Sequence, residues 1–144
     1  MEHFDKRNGS YILLRSEQLV GAALIVVVKE EMTASIRAVE ATTKKVKLFL
    51  HTLGTGADWQ TGLSGLSGNK GGVGIRMNLY DTSVCLMTAH LAAGLGNVAE
   101  RNADYRTISQ GLKFLKGKMI HDHECVYYSQ GRRKLMKQYS DLWW

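Results

Sequence analysis

The sequence lacks proline, has few cysteines and contains no long apolar run. Among its 144 residues there are 2 Cys and 0 Pro. The absence of proline decides nothing by itself. Cys85 and Cys125 are too few for a disulfide framework, so we expect a reducing compartment. The longest apolar stretch, residues 19–28, is about half of the roughly 20 residues that a membrane span requires, and we therefore expect no transmembrane helix.

Acidic residues are also in deficit. Lys and Arg number 19 against 13 Asp and Glu, which gives a formal net charge of +6. A basic surface favours anionic partners, namely phosphorylated lipid headgroups, anionic membranes or nucleic acid. The first residues are polar and lead into no early apolar core, so we expect no signal peptide and a cytoplasmic location. The length fits one domain or a piece of one.

Apolar patterning predicts a mixed α/β fold in which strands outnumber helices. The β-branched and aliphatic runs predict strands that are buried on both faces at residues 11–14 and 19–28, with a polar turn between them. Helical spacing of Met32, Ile36 and Val39 predicts a short helix over residues 32–39. Further strands are expected at residues 73–79, 83–91 and 125–128, the first two joined as a hairpin through residues 80–82.

A second helix is predicted after Asn97, which is a good N-cap residue. Glu100 stands three residues later and would nearly complete a capping box. The helix is expected to place its apolar residues on one face at a period of 3.6. These residues are Val98, Tyr105, Ile108, Leu112 and Leu115.

A glycine- and serine-rich loop is predicted at residues 61–72. Its glycines would let backbone N–H groups approach an anion, while Asn69 adds a polar donor and Lys70 a full charge. The loop is not a Walker P-loop, because Lys70 follows Asn69 and precedes Gly71. A plain turn is the alternative.

Three further groups of polar residues lie beyond this loop. His90 lies at the end of an apolar strand, where the strand is rigid and its end is accessible to substrate. A structural histidine is the alternative. The polar residues of the predicted helix, including Arg101 and Asp104, suit either a solvated face or a site. Residues 121–124 contain two His, one Asp and one Glu, but neighbours on a strand point to opposite faces, so we expect no zinc site there.

Four segments, taken in order, resemble one enzyme family. They read Tyr-Ile-Leu-Leu-Arg-Ser-Glu-Gln-Leu-Val-Gly from residue 11, Ser-Gly-Asn-Lys-Gly-Gly-Val-Gly-Ile-Arg from residue 67, Thr-Ala-His-Leu-Ala-Ala-Gly from residue 88 and Glu-Arg-Asn-Ala-Asp-Tyr-Arg from residue 100. Together they resemble the inositol polyphosphate 5-phosphatase catalytic domain, in its synaptojanin-like branch. That family belongs to the DNase I-like superfamily, so the resemblance implies part of a two-sheet β-sandwich flanked by helices.

The resemblance also implies an activity and the residues that serve it. Family members remove the 5-phosphate from phosphoinositide lipids or soluble inositol phosphates with Mg²⁺ and an activated water. His90 matches the catalytic histidine at the scissile phosphate, and Asn69 and Lys70 match the substrate phosphate-binding loop. An orienting role is implied for Arg101, Asn102, Asp104 and Tyr105. The implied partner is a membrane surface, met from the cytoplasm, and nucleic acid is not expected.

Parts of the family pattern are not found in this sequence. The family's metal-binding glutamate and asparagine precede the segment that matches Tyr11, and its Gly-Asp-x-Asn-Tyr-Arg, Trp-Thr-Asp-Arg and Ser-Asp-His segments are absent. We therefore expect residues 1–144 to be a fragment of a single catalytic domain. We expect it to hold no main metal ligand and to be inactive alone.

Two segments depart from the family pattern. Residues 46–60 interrupt it and residues 126–144 lie outside it. Codons for Val46 begin with GT, Gln60 can be encoded by CAG, and the codons for residues 56–60 can contain CTGAC. These match the donor, acceptor and branch-point signals of a short intron. We expect residues 46–60 to be a translated intron, with a surface-loop insertion as the alternative. The tail is expected to be translated noncoding sequence, with a basic, aromatic membrane-surface element as the alternative.

Three functions remain open from the sequence. The first is a phosphoinositide 5-phosphatase fragment, and the second is a noncatalytic binder of anionic lipid. The third is a DNase I-like nuclease. The basic charge permits it, but the residues of the glycine loop and of the His90 segment argue against it.

Overall fold

The computed structural model describes residues 9–46, 70–123, 125–130 and 133–138. In these residues the strands form a two-stranded and a five-stranded sheet. The strands are β1 (Tyr11–Leu19), β2 (Ala22–Lys29), β3 (Ile36–Lys45), β4 (Gly71–Leu79), β5 (Thr82–His90), β6 (Cys125–Gln130) and β7 (Arg133–Gln138). The main helix is α1 (Val98–Gly111). The prediction of a mixed, strand-rich fold with two sheets is confirmed.

The larger sheet has the order β3-β4-β5-β6-β7, and all its neighbours are antiparallel except β5 and β6, which run parallel. The β4–β5 hairpin confirms the predicted hairpin, but its turn is Tyr80 and Asp81 alone, because Thr82 already begins β5. The predicted strand at residues 125–128 is also confirmed and extends to Gln130. Within the described residues no helix is long and apolar enough to cross a membrane.

The first two strands correct the predicted strand boundaries. β1 continues through the residues expected to form a polar turn, and the turn lies instead at Val20 and Gly21, where the glycine adopts a left-handed backbone. The hairpin buries one face only, because Val26 packs on Ile75 and Met77 of the larger sheet while Ile25 points away. Alternation of buried and exposed residues therefore replaces the expected burial on both faces.

The segment after β2 corrects the predicted helix over residues 32–39. A 3-10 helix covers Glu30–Ser35, and Ile36 already begins β3. The apolar spacing that suggested a helix also fits a strand that is interrupted by a bulge. The pairing of β3 with β4 shifts register between Arg37 and Glu40, and Ala38 there has a left-handed backbone.

Helix α1 packs on the opposite face of the larger sheet. Ile108 and Leu112 are fully buried with Cys85, Met87 and Ala89 of β5. Each such aliphatic side chain contributes about 1.5–3 kcal/mol on burial. The predicted helical face is only partly confirmed, since α1 ends at Gly111 and its first apolar residue is exposed. Leu115 lies beyond the helix and is exposed too.

Close packing of α1 and of the segment that follows it depends on two glycines of β4. A Cβ at Gly72 would run into Cγ2 of Ile108, and a Cβ at Gly74 would lie 3.2 Å from the Phe114 ring. Gly71 and Gly72 therefore belong to the strand, which corrects their assignment to a loop. Of the predicted loop, residues 61–69 lie outside the described part of the chain.

Candidate functional site

The candidate site lies where β4 begins and β5 ends. Gly71 pairs with His90 in the antiparallel register, so Lys70, one residue earlier, lies beside the imidazole. Lys70 Nζ and His90 Nε2 are 2.5 Å apart, and both residues are half-buried. Because an ammonium group can only donate, Nε2 is the acceptor in this contact. The structure thus brings together two of the predicted site residues as a cation and a base.

A glycine keeps the strand ends close together at this site. A Cβ on Gly71 would collide with a methyl group of Leu19 and with the carbonyl oxygen of Lys44. The end of β1 therefore packs directly against the backbone beside His90. Pairing with Gly71 of β4 holds the backbone of His90, which gives the side chain a rigid mount at the end of its strand.

The segment after His90, residues 91–97, is called the His90 loop below. Side chains of α1 hold it from one side. Asp104 Oδ2 accepts a hydrogen bond of 2.8 Å from the Ala92 N–H. Arg101 donates to the carbonyl oxygens of Gly94 and Leu95. Both side chains thus fix the backbone that follows His90, which is the geometry that an orienting role requires.

The start of α1 corrects the predicted capping. Asn97 is the residue before the helix, as expected, but its side chain makes no capping bond to the helix. Its Nδ2 instead donates to the carbonyl oxygen of Ala93 at 2.7 Å. Asn97 therefore closes the His90 loop, and the expected capping box with Glu100 does not form, since the Asn97 backbone N–H donates to the carbonyl oxygen of Gly94.

The remaining predicted residues are placed as follows. Asn102 is exposed on α1 and Tyr105 is half-buried. Asn69 lies outside the described residues. The roles of all the predicted site residues stay predictions.

The residues near His90 do not form a set of ligands that suits Mg²⁺. Magnesium prefers carboxylate and carbonyl oxygens in an octahedral arrangement. The Asp104 carboxylate already accepts the Ala92 N–H, and the Lys70 ammonium lies against the His90 nitrogen. In the described part of the chain no three His, Cys, Asp or Glu side chains cluster as metal ligands would. These residues therefore do not fit a divalent ion.

A buried polar cluster lies further along the sheet and was missed in the sequence. Arg76 of β4 forms an ion pair with Glu40 of β3, and both side chains are nearly buried. Glu40 also accepts the Leu115 N–H at 2.8 Å. His123 is buried nearby, with Nδ1 at 2.5 Å from the Ser83 hydroxyl. A lone arginine among the apolar residues of β4 was the signal, since buried charges are almost always paired.

The cluster shifts the pKa values of its members. The hydrogen bond from Arg76 is the main cause that lowers the pKa of Glu40, against the opposing effect of burial. Burial is the main cause that lowers the pKa of His123, and the positive charges of Arg76 and Lys118 lower it further. At neutral pH the cluster therefore holds an ionised carboxylate and a neutral imidazole.

An open cavity of about 380 Å³ borders this cluster. It is lined by Arg15, Val39, Glu40, Ala41, Lys113, Phe114 and Leu115. Arg76, which pairs with Glu40, is five residues along β4 from Gly71, or about 16 Å at roughly 3.3 Å per residue. The cavity is therefore separate from the Lys70–His90 pair.

The sequence matches the model of a known family, described as Endonuclease/Exonuclease/phosphatase family 2, over residues 1–130. Inositol-1,4,5-trisphosphate 5-phosphatase 1 of Schizosaccharomyces pombe is 47% identical over 118 residues, which are 82% of this chain and 10% of the relative. Human synaptojanin-1 is 38% identical over 122 residues, or 85% of this chain and 7% of the relative. The chain thus spans about a tenth or less of these relatives.

A solved structure has a similar fold. It is the inositol polyphosphate 5-phosphatase domain of SPsynaptojanin, crystallised with inositol (1,4)-bisphosphate and a calcium ion. The TM-score is 0.66 at 43% identity, and the match covers 83% of this chain and 30% of that one. The predicted family and the predicted partial sandwich fold are confirmed by these matches.

Proposed function

We propose that this chain, which belongs to Endonuclease/Exonuclease/phosphatase family 2, supplies part of the phosphate-binding site of an inositol polyphosphate 5-phosphatase. The observation that carries the proposal is the contact of Lys70 with His90 at the open strand ends. Relatives named as 5-phosphatases and a domain crystallised with inositol (1,4)-bisphosphate support the choice of substrate class.

Each residue of the site has a distinct part in the proposal. The Lys70 ammonium donates to phosphate oxygens and compensates their charge. His90, next to it, hydrogen-bonds the phosphoryl group that is transferred, where developing negative charge is stabilised. Asp104 and Arg101 hold the His90 loop, so the imidazole keeps its orientation when the substrate binds.

The metal belongs to the complete domain in this proposal. We propose Mg²⁺ as its cofactor, since a similar domain was crystallised with a calcium ion. The described residues of this chain offer no ligand set for it, so no step here runs through a metal. By itself the chain is therefore expected to bind phosphorylated inositol and to turn over none.

The proposed partners are phosphoinositide lipids and soluble inositol phosphates, met at the cytoplasmic face of a membrane. The formal net charge of +6 favours such anionic surfaces. The second candidate function is that of a noncatalytic binder of anionic lipid, and the lack of a metal-ligand cluster among the described residues favours it.

The test is calorimetric titration of the full chain with inositol 1,4-bisphosphate. Lys70→Met is expected to weaken binding by about tenfold or more, because hydrogen bonds to charged groups contribute roughly 1.5–3 kcal/mol. The matched control is Lys29→Met, which removes the same charge at the far end of the hairpin. Equal affinities for the two variants would overturn the proposed site.

A phosphate-release assay tests the expected inactivity of the chain alone. With phosphatidylinositol 4,5-bisphosphate and Mg²⁺, the chain alone is expected to release no phosphate. Robust release would show that these residues suffice for catalysis and would refute the expected inactivity. Plasmid nicking without inositol phosphate binding would instead identify a nuclease.

A further inference from the structure

We propose that the His90 loop and the β1–β2 turn dock together on an anionic lipid surface, with Leu95 and Val20 entering the interfacial region of the bilayer. The inference rests on the proposed function and names the surface through which the site meets a lipid substrate.

The most exposed apolar side chains at this end lie on turn and loop tips. Leu95 is 100% exposed, and Val98, three residues later, is 54% exposed. Val20, in the β1–β2 turn, is 66% exposed. Apolar side chains at projecting tips suit insertion into a lipid interface, because apolar area that is exposed to water becomes buried there.

The tip that carries Leu95 is held from within. Arg101 donates to the carbonyl oxygen of Leu95 itself at 3.2 Å, and also to that of Gly94. Asn97 binds the carbonyl oxygen of Ala93, and Asp104 binds the N–H of Ala92. The polar groups of the loop thus turn toward α1 while its leucine points into solvent. A preformed apolar tip loses little conformational entropy on binding.

Both tips lie at the same end of the molecule as His90. The Leu95 tip belongs to the loop that leaves β5 directly after His90. Leu19, next to Val20, lies so close to Gly71 that a Cβ there would collide with it, and Gly71 is the strand partner of His90. Exposed apolar side chains therefore flank the imidazole from two directions.

Positive charge lies at the same end of the molecule. Lys45, Gly71 and His90 are cross-strand neighbours in one row, which puts Lys45 about 10 Å from His90 on the same face, at roughly 4.8 Å per strand. Lys45 is exposed, and in the described part of the chain its ammonium has no ion-pair partner. With Lys70 it gives this end two cations beside the apolar tips, which complements anionic headgroups over an acyl layer.

These features together identify the occupant as lipid. A protein groove would need a concave apolar surface, whereas Leu95 and Val20 project from separate tips. A soluble inositol phosphate would use the lysines and the histidine and would leave both tips in water. An anionic bilayer uses the cations and the tips at once.

The test is co-sedimentation of the full chain with vesicles of phosphatidylcholine and phosphatidylserine. The double variant Val20→Ser/Leu95→Ser is expected to reduce vesicle binding by about tenfold or more, since two apolar insertions are lost. The matched control is Tyr80→Ser. Tyr80 is 63% exposed, in the turn at the opposite end of β4, roughly 30 Å away for nine residues. Unchanged binding of the double variant, or an equal loss with Tyr80→Ser, overturns the proposal.

A second pair of measurements keeps the docking surface and the phosphate site distinct. Titration with inositol 1,4-bisphosphate is expected to give the same affinity for the wild type and the double variant. If that ligand fails to bind while vesicle binding still depends on Leu95, the proposed function fails and the docking surface stands. Hydrogen exchange is expected to slow in residues 92–97 when vesicles are added. The docking surface would be overturned by protection that appears only outside these residues. It would also be overturned if the double variant lost affinity for inositol 1,4-bisphosphate.

Discussion

At the scale of single residues, the buried cluster of Glu40, Arg76 and His123 makes the strongest physical demands. Glu40 and Arg76 compensate each other, and the Leu115 N–H occupies the second carboxylate oxygen. Among the described residues, His123 has no such charge partner at contact distance. It is held neutral between the Ser83 hydroxyl and the edge of the Phe114 ring, whose centroid is 5.5 Å from its own. Charging this ring inside the fold therefore costs stability.

Stability is expected to fall as His123 becomes protonated. Burial and the positive charges of Arg76 and Lys118 lower the pKa of His123, whereas the negative charges of Asp122 and Glu40 raise it. The lowering effects are larger, so the pKa of His123 in the folded chain lies below the ordinary 6.5. The unfolded chain binds the proton first, so stability is full above the ordinary value and is lost as pH falls through the folded pKa. Glu40 shifts in the same direction, but its loss begins only below its ordinary 4.5.

Thermal melts between about pH 7 and pH 5 measure this effect in the window where His123 titrates and Glu40 does not. The melting temperature of the wild type is expected to fall across that window. His123→Asn, whose amide can still meet Ser83, is expected to flatten the dependence. An equally steep fall in the variant would assign the effect to other groups.

At the scale of secondary-structure elements, the contact of α1 with β4 depends on the lack of a side chain at Gly72. Gly72→Ala is expected to destabilise the fold by about 1–3 kcal/mol, because the new methyl group meets Cγ2 of Ile108. Denaturant unfolding measures the loss. The matched control is Gly96→Ala, since a Cβ at Gly96 meets nothing within 4 Å.

A second substitution shows whether that clash is the cause. Ile108→Leu removes the branch at Cβ, so the double variant Gly72→Ala/Ile108→Leu is expected to lose less stability than the two single losses added together. Strict additivity would mean that Gly72 matters for another reason, such as strand propensity.

The same elements show what could be predicted from the sequence. The β4–β5 hairpin followed from two apolar runs joined by a short connection, and the start of α1 at Val98 followed from Asn97 as its preceding residue. Strand β3 was not predicted, because its bulge between Arg37 and Glu40 breaks the alternation of side chains that identifies a strand. The site divides in the same way. Lys70 and His90 were identified as residues, but their contact depends on strand register, and the Glu40–Arg76 pair joins residues that are distant in sequence.

At the scale of the whole molecule, the two-stranded sheet covers the larger sheet with one face and leaves the other in water. Tyr11, Leu13 and Ile25 are exposed on this hairpin. In the similar domain structure the matched part is 30% of the chain. Exposed apolar strands of this kind promote association between copies when nothing else covers them.

We expect this face to set the association state of the isolated chain. Ile25, 65% exposed, and Val26, 7% exposed, are neighbours on opposite faces of β2. Ile25→Lys places its charge in water and is expected to shift the chain toward monomer in sedimentation velocity while leaving the melting temperature unchanged. Val26→Lys places the same charge against Ile75 and Met77 and is expected to abolish cooperative unfolding. If Ile25→Lys associates as strongly as the wild type, another surface drives association. The exposed face of the hairpin then does not set the association state.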